Sequence, residues 1–199
     1  MDIKFYPEGG YLVGGLENRV YFTARNTQGQ PIEIKGEIIS SSGVQLASIE
    51  TTRDGMGRFE FRPNPAESYF VKVTEPVDVI NTPELPPVVK DLPVIDTGDG
   101  VFGASEPISL TIRSRKRMPI LVQAVCRGQL VGQQELQASR DAIVTLPIRD
   151  DASGVIRVTV LDTSTKPPMP LVAIGVSPRQ QTSECKCPGE PFITATFAG

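Results

Sequence analysis

The chain has 199 residues, 39% of them hydrophobic and 22% charged, with a net charge of -3. That balance excludes wholesale disorder, and with no run of 18 apolar residues it excludes a membrane-spanning helix of ordinary length. Histidine is absent and no basic stripe runs along the chain, which removes the usual general base, the commonest metal ligand and any expectation of a nucleic-acid partner.

Eighteen glycines and eighteen prolines supply turns throughout, and the first 76 residues divide between them into seven short runs. Residues 3–7 and 11–14 flank Glu8, Gly9 and Gly10. Residues 18–26 alternate Val20, Phe22 and Ala24 against Arg19, Tyr21, Thr23 and Arg25, the period of a half-buried strand. Runs at 32–40 and 44–52 follow, joined by a tight turn at 41–43. Phe59 and Phe61 then face inward against Arg58, Glu60 and Arg62, and Tyr69, Val71 and Val73 share one face of the seventh run. Such spacing predicts a small antiparallel sandwich over residues 1–76.

Residues 77–93 carry Pro83, Pro86, Pro87 and Pro93 and no clear period, which predicts a linker or a proline-pinned edge segment. A second strand series over 94–176 predicts a second sandwich. Ile108, Leu110 and Ile112 alternate with Ser109, Thr111 and Arg113 in one expected strand that begins at Val101. Arg127 and Gly128, between apolar runs at 119–126 and 129–137, predict a two-residue hairpin. Runs at 141–150, 154–162 and 168–176 continue the series, with Ile156, Val158 and Val160 on one face. From residue 177 the alternation stops, which predicts an irregular tail over 177–199. Nowhere does a capped helical period appear, so the fold class is all-β, two tandem immunoglobulin-like antiparallel sandwiches.

Candidate chemistry is sparse. The stretch "RDGMGRFEF" could pass for a phosphate-binding glycine loop, but such a loop needs a helix after its glycines and here a strand follows. Asp54, Gly55 and Gly57 therefore read as a turn. Arg113, Arg115, Lys116 and Arg117 read as a solvated hairpin turn. "LPVIDTGDG", residues 92–100, presents Asp96 in the manner of an aspartic protease, whose two carboxylates share a proton. The chain holds one copy of this motif, with Asp99 where those enzymes carry a small residue, and the competing reading is a turn into the next strand. Cys126 lies in an apolar run as a small buried hydrophobe, while Cys185 and Cys187 form a C-x-C. Three thiols without an imidazole fall short of a four-ligand zinc site. No catalytic, cofactor-binding or metal-binding residue is expected. The residues after Met1 show no charged n-region and apolar core, so no export signal is expected in them.

Three anchors, "PEGG.LV.GL.NRV.F.A", "G.P" and "DGMG.F.F.P", run through residues 5–76. Together they resemble a macroglobulin-like domain of bacterial alpha-2-macroglobulin-type proteins. The segments "TGDGVFGASEPISLTIRS", "ILVQAVCRGQLVGQQ" and "GVIRVTVLDTSTKPPMPLVA" look like the next module of the same large proteins. The resemblance spans about residues 3–173 and implies macroglobulin-type sandwiches from the non-catalytic body of an endopeptidase inhibitor that traps proteases. It implies neighbouring macroglobulin domains as partners, a target protease engaged through the whole protein, and a secreted, periplasmic or surface location. Residues 184–191, "ECKCPGEP", echo that family's thioester motif but lack its order, and no bait segment is recognisable. After Ala173 the family pattern is not continued, which fits a reading frame shifted near that point. The rival expectations are an interaction or adhesion module of a bacterial surface protein, and, more remotely, an aspartic protease using Asp96.

Overall fold

The alternation of apolar and polar residues resolves, in the computed structural model, into sixteen strands among the described residues. The described residues are 1–77, 82–98, 100–102, 106–148 and 154–178, and no helix occurs among them.

The seven expected strands of the first half are all present: β1 (Asp2–Pro7), β2 (Leu12–Val13), β3 (Asn18–Arg25), β4 (Lys35–Ser40), β5 (Gln45–Arg53), β6 (Met56–Phe61) and β7 (Tyr69–Glu75). Hydrogen bonding orders six of them β1-β3-β6-β5-β4-β7, all antiparallel. This continuous sheet folds over itself at β5. Residues Gln45 to Glu50 pair with β4, whereas Thr51 and Arg53 pair with β6 across a bulge. A bulged strand that changes partners is how one sheet turns a corner to face itself as a sandwich.

Period 2 places Val20, Phe22 and Ala24 of β3 inside with Phe59, Phe61, Tyr69 and Val71. The rings run in sequence through the core, Phe22 to Phe59 at 6.2 Å, Phe59 to Phe61 at 5.7 Å and Phe61 to Tyr69 at 5.2 Å. Burying each ring contributes about 1.5–3 kcal/mol. The Tyr69 hydroxyl accepts the Asn64 backbone N–H at 2.6 Å, so the ring enters the core without an orphaned polar atom.

The proline-rich stretch is built into this first core. Leu85 is buried there, its N–H donates to the Tyr69 carbonyl at 2.8 Å, and the Val71 N–H donates to the Pro83 carbonyl at 2.9 Å. Farther on, β8 (Val88–Val89) lies parallel to β2. Only residues 90–93 separate β8 from the next strand.

The second half contains β9 (Val94–Asp96), β10 (Val101–Phe102), β11 (Ile108–Arg113), β12 (Met118–Cys126), β13 (Gln129–Ala138), β14 (Asp141–Leu146), β15 (Ile156–Asp162) and β16 (Met169–Pro178). A five-stranded sheet, β10-β16-β15-β12-β13, packs on a three-stranded sheet, β14-β11-β9. Ile108, Leu110 and Ile112 meet Val122, Ala124, Val158 and Val160 between them. Both halves are therefore immunoglobulin-like β-sandwiches. Arg127 and Gly128 have φ of 49° and 81°, the pair of positive values that a two-residue type I′ hairpin between β12 and β13 demands.

Two local expectations need correction. Residues 114–117 do not close a hairpin: β11 pairs with β14 and β9, while β12 pairs with β13 and β15, so this segment crosses from one sheet to the other. Val101 and Ile108 do not share a strand either, because β10 pairs with β16 in the larger sheet and β11 belongs to the smaller. A single run of alternating residues carries no mark of which sheet each part joins.

Candidate functional site

Asp54 and Gly55, with φ of 53° and 71°, form the tip of the β5–β6 hairpin. Gly57 has a different purpose: a Cβ there would collide with the Glu50 carbonyl and the Phe22 ring. Its hydrogen atom lets β6 lie against the core, so both glycines serve the fold.

Asp96 ends strand β9, where the residue pattern predicts a turn. Its Oδ2 accepts Arg113 Nη2 at 3.0 Å and its Oδ1 accepts the Gly98 N–H at 3.0 Å. Arg19 Nη2, from the first sandwich, lies 3.6 Å from Oδ1. Burial pushes the carboxyl pKa up, but the Gly98 N–H, Arg19 and Arg113 outweigh it and hold Asp96 below its ordinary value. An acid dyad works on a carboxyl held above its ordinary value by a neighbouring carboxylate. Asp96 is instead held between Arg113 at 3.0 Å and Arg19 at 3.6 Å, with its pKa below the ordinary value.

Following Arg19 outward uncovers a cluster the sequence did not announce. Its Nε donates to Glu60 Oε1 at 2.8 Å, its Nη1 donates to the Gly98 carbonyl at 2.6 Å, and the same Nη1 lies 3.4 Å from Glu8 Oε2. Glu8 is a carboxylate whose side chain is only 2% exposed. Its other oxygen accepts the Thr97 hydroxyl at 2.8 Å. Burial raises the Glu8 pKa above its ordinary value, with Thr97 and Arg19 opposing that shift and Asp96 adding to it. Burial would lower Arg19, but Glu60, Glu8 and Asp96 together raise it. Arg19, Glu8 and Glu60 come from the first sandwich; Asp96, Thr97, Gly98 and Arg113 come from the second.

The basic run 113–117 joins the same junction. Arg113 is half-buried and bridges Asp96 to Asp141, Arg115 Nη1 reaches the Gly14 carbonyl at 3.5 Å, and Lys116 Nζ pairs with Asp91 at 2.7 Å. The solvated reading holds for exposed Arg117, but Arg113 has a structural partner on each side. Cys126 is buried in the second core as expected. Cys185, Cys187 and the "ECKCPGEP" stretch lie outside the described residues, as does Asp99.

Sequence reasoning placed Arg19 on the outward face of its strand and passed over Glu8 and Thr97. The placement is correct, yet at Arg19 the second sandwich covers that face. Glu8 carried one usable signal, a charge set between a strand end and two glycines with φ of 83° and 92°.

No protein-family model and no curated protein matches the chain. Solved structures with a resemblance include domains 5-6 of the S-layer protein SbsC, at 12% identity and a TM-score of 0.40, covering 92% of this chain and 98% of that one. Native Escherichia coli alpha-2-macroglobulin resembles it at 8% identity and a TM-score of 0.32, and invasin, a bacterial integrin-binding protein, at 13% and 0.34. They cover 87% and 89% of this chain, which spans 14% of that alpha-2-macroglobulin and 39% of that invasin chain. Likeness at this level assigns no family.

Proposed function

We propose that the chain is a pair of non-catalytic β-sandwich modules from the body of a larger, secreted or surface-located bacterial protein of the alpha-2-macroglobulin type, a protease trap. The supporting observation is where the shared sequence anchors fall. Glu8 belongs to "PEGG" and Arg19 to "NRV", and both lie at the junction between the sandwiches. Asn18, beside Arg19, is buried and binds the Val13 N–H at 2.7 Å and the Val13 and Leu16 carbonyls at 2.9 and 2.8 Å. The anchors thus maintain a turn and a module junction, which is what scaffold requires. To test this, the longer protein containing these modules is mixed with a broad-specificity protease. A trap gives a protease that still cleaves a small chromogenic peptide but no longer digests a large protein substrate. Digestion of both at undiminished rate sinks the reading.

One observation favours the adhesion alternative. Tyr6, half exposed, stands opposite Tyr21 on β3, which stands opposite exposed Arg58 on β6, a row of aromatic and guanidinium groups on an outward sheet face. Tyr and Arg dominate the energetics of protein interfaces. Loss of host-cell or matrix binding in the longer protein on Tyr6→Ala and Tyr21→Ala, with no protease protection in the wild type, selects this reading instead.

A further inference from the structure

Two sandwiches that meet through a small polar interface ordinarily move relative to one another. This junction is polar, so mobility is the default expectation. Three features oppose it. The connection between β8 and β9 is only residues 90–93, and Asp91 within it is tied to Lys116 at 2.7 Å. Every nitrogen of the Arg19 guanidinium has a partner: Nε has Glu60, Nη1 has the Gly98 carbonyl and Glu8, and Nη2 has Asp96. A second contact, Arg115 in the β11–β12 crossover against the Gly14 carbonyl just after β2, joins the same two bodies at a different place, and a lone pivot would not resist rotation as two contacts do.

The arrangement is also closed in charge and hydrogen bonding. Glu8 is nearly inaccessible and would be costly to bury alone. Its partners Arg19 and Thr97 come from opposite sandwiches, so opening the junction exposes a carboxylate to water only by breaking the Thr97 bond and stripping Gly98 and Asp96 from Arg19. Planar guanidinium groups suit such multi-point capture, because the donors are fixed relative to one another.

We propose that Arg19 is a latch that fixes the angle between the two sandwiches, making them one rigid body rather than two modules on a hinge, with Asp96 and the Glu8–Thr97 pair as its keepers. Arg19 is a positioning residue in this scheme. The inference rests on the junction geometry and stands whether the parent protein traps proteases or binds surfaces.

The test is residual dipolar coupling on the isotope-labelled full chain in a weakly aligning medium. Amides of β3, β4 and β6 report the alignment tensor of the first sandwich, and those of β11, β12 and β15 report the second. The latch requires the two tensors to coincide in magnitude and orientation in the wild type. They must diverge in Arg19→Ala while the core amides of each sandwich keep their dispersion. Asp96→Asn, which removes one keeper with little change of shape, is measured in parallel; if Arg19→Ala loses a core, the Asp96→Asn tensors decide. Divergent tensors in the wild type overturn the proposal, and so do coincident tensors in a folded Arg19→Ala or, failing that, in Asp96→Asn.

Discussion

The Arg19 guanidinium of the first sandwich lies 3.6 Å from the Asp96 carboxylate of the second, and Arg113 holds the same carboxylate from behind at 3.0 Å. Removing the shared cation leaves Glu8 buried without its charge partner, a change that costs about 3 kcal/mol where an ion pair is sheltered from water. Arg19→Ala should lower the urea unfolding free energy by about that amount. Lys4→Ala, at a pair whose partners are both more than half exposed, should change it by less than about 0.5 kcal/mol. Equal effects from both variants would argue against a sheltered junction.

Glu8 and Asp96 titrate in opposite senses, and melting temperature against pH separates them. Glu8 has a folded-state pKa above 4.5 because burial outweighs Thr97 and Arg19. The folded chain therefore takes up its proton first, and this group adds stability as pH falls from neutral towards the unfolded value. Asp96 has a folded-state pKa below 3.8. Its stabilisation is fully present above that value and is lost as pH falls through the folded pKa. The groups facing this pair are Arg19, Arg113, Glu60, Asp141, Thr97 and the Gly98 N–H. Glu8→Gln should remove the gain in mild acid, and Asp96→Asn should flatten the steeper fall below it. A wild-type curve with both variants superimposed on it would contradict this division.

Asn18 serves three backbone groups of one buried turn. Asn18→Ala leaves the Val13 N–H and two carbonyls without the side chain that satisfies them. The expected loss is about 2–3 kcal/mol, with amide exchange at Val13 accelerated more than at Phe22 on the same sandwich. Uniform acceleration would instead mean that the turn is not locally held.

Gly57→Ala asks for a methyl group where the Glu50 carbonyl and the Phe22 ring already stand. Overpacking of this kind costs about 1–3 kcal/mol. Thermal denaturation should show it. Gly29→Ala, at a positive-φ turn with open space around it, should cost about 1 kcal/mol from backbone strain alone. If the Gly57 variant proves the milder of the two, β6 does not lie as close to Phe22 as described.

Tyr69→Phe removes the acceptor of the Asn64 N–H while leaving the ring in place. About 1 kcal/mol should be lost, read as a shift of the urea midpoint without a change of slope.

The sequence determined the seven strands of the first 76 residues and β11 to β16 of the second half, because period 2 is written locally: Val20, Phe22 and Ala24 could face inward only together, and Ile156, Val158 and Val160 likewise. It determined the Arg127–Gly128 hairpin and the Asp54–Gly55 tip for the same reason, since only a few residue types accept positive φ. Tertiary structure decided everything that depends on which strand lies beside which. β5 turns the corner of one folded sheet, residues 114–117 cross between sheets, and Val94–Asp96 is a strand because β11 offers it an edge. The junction belongs to this second class. Arg19 has the pattern of an exposed residue, and it is covered only because a second sandwich, 79 residues away in sequence at Gly98, brings Asp96, Thr97 and Gly98 against it. Local periodicity records which face of a strand avoids water, but it cannot record that the other face is later sheltered by a separate core.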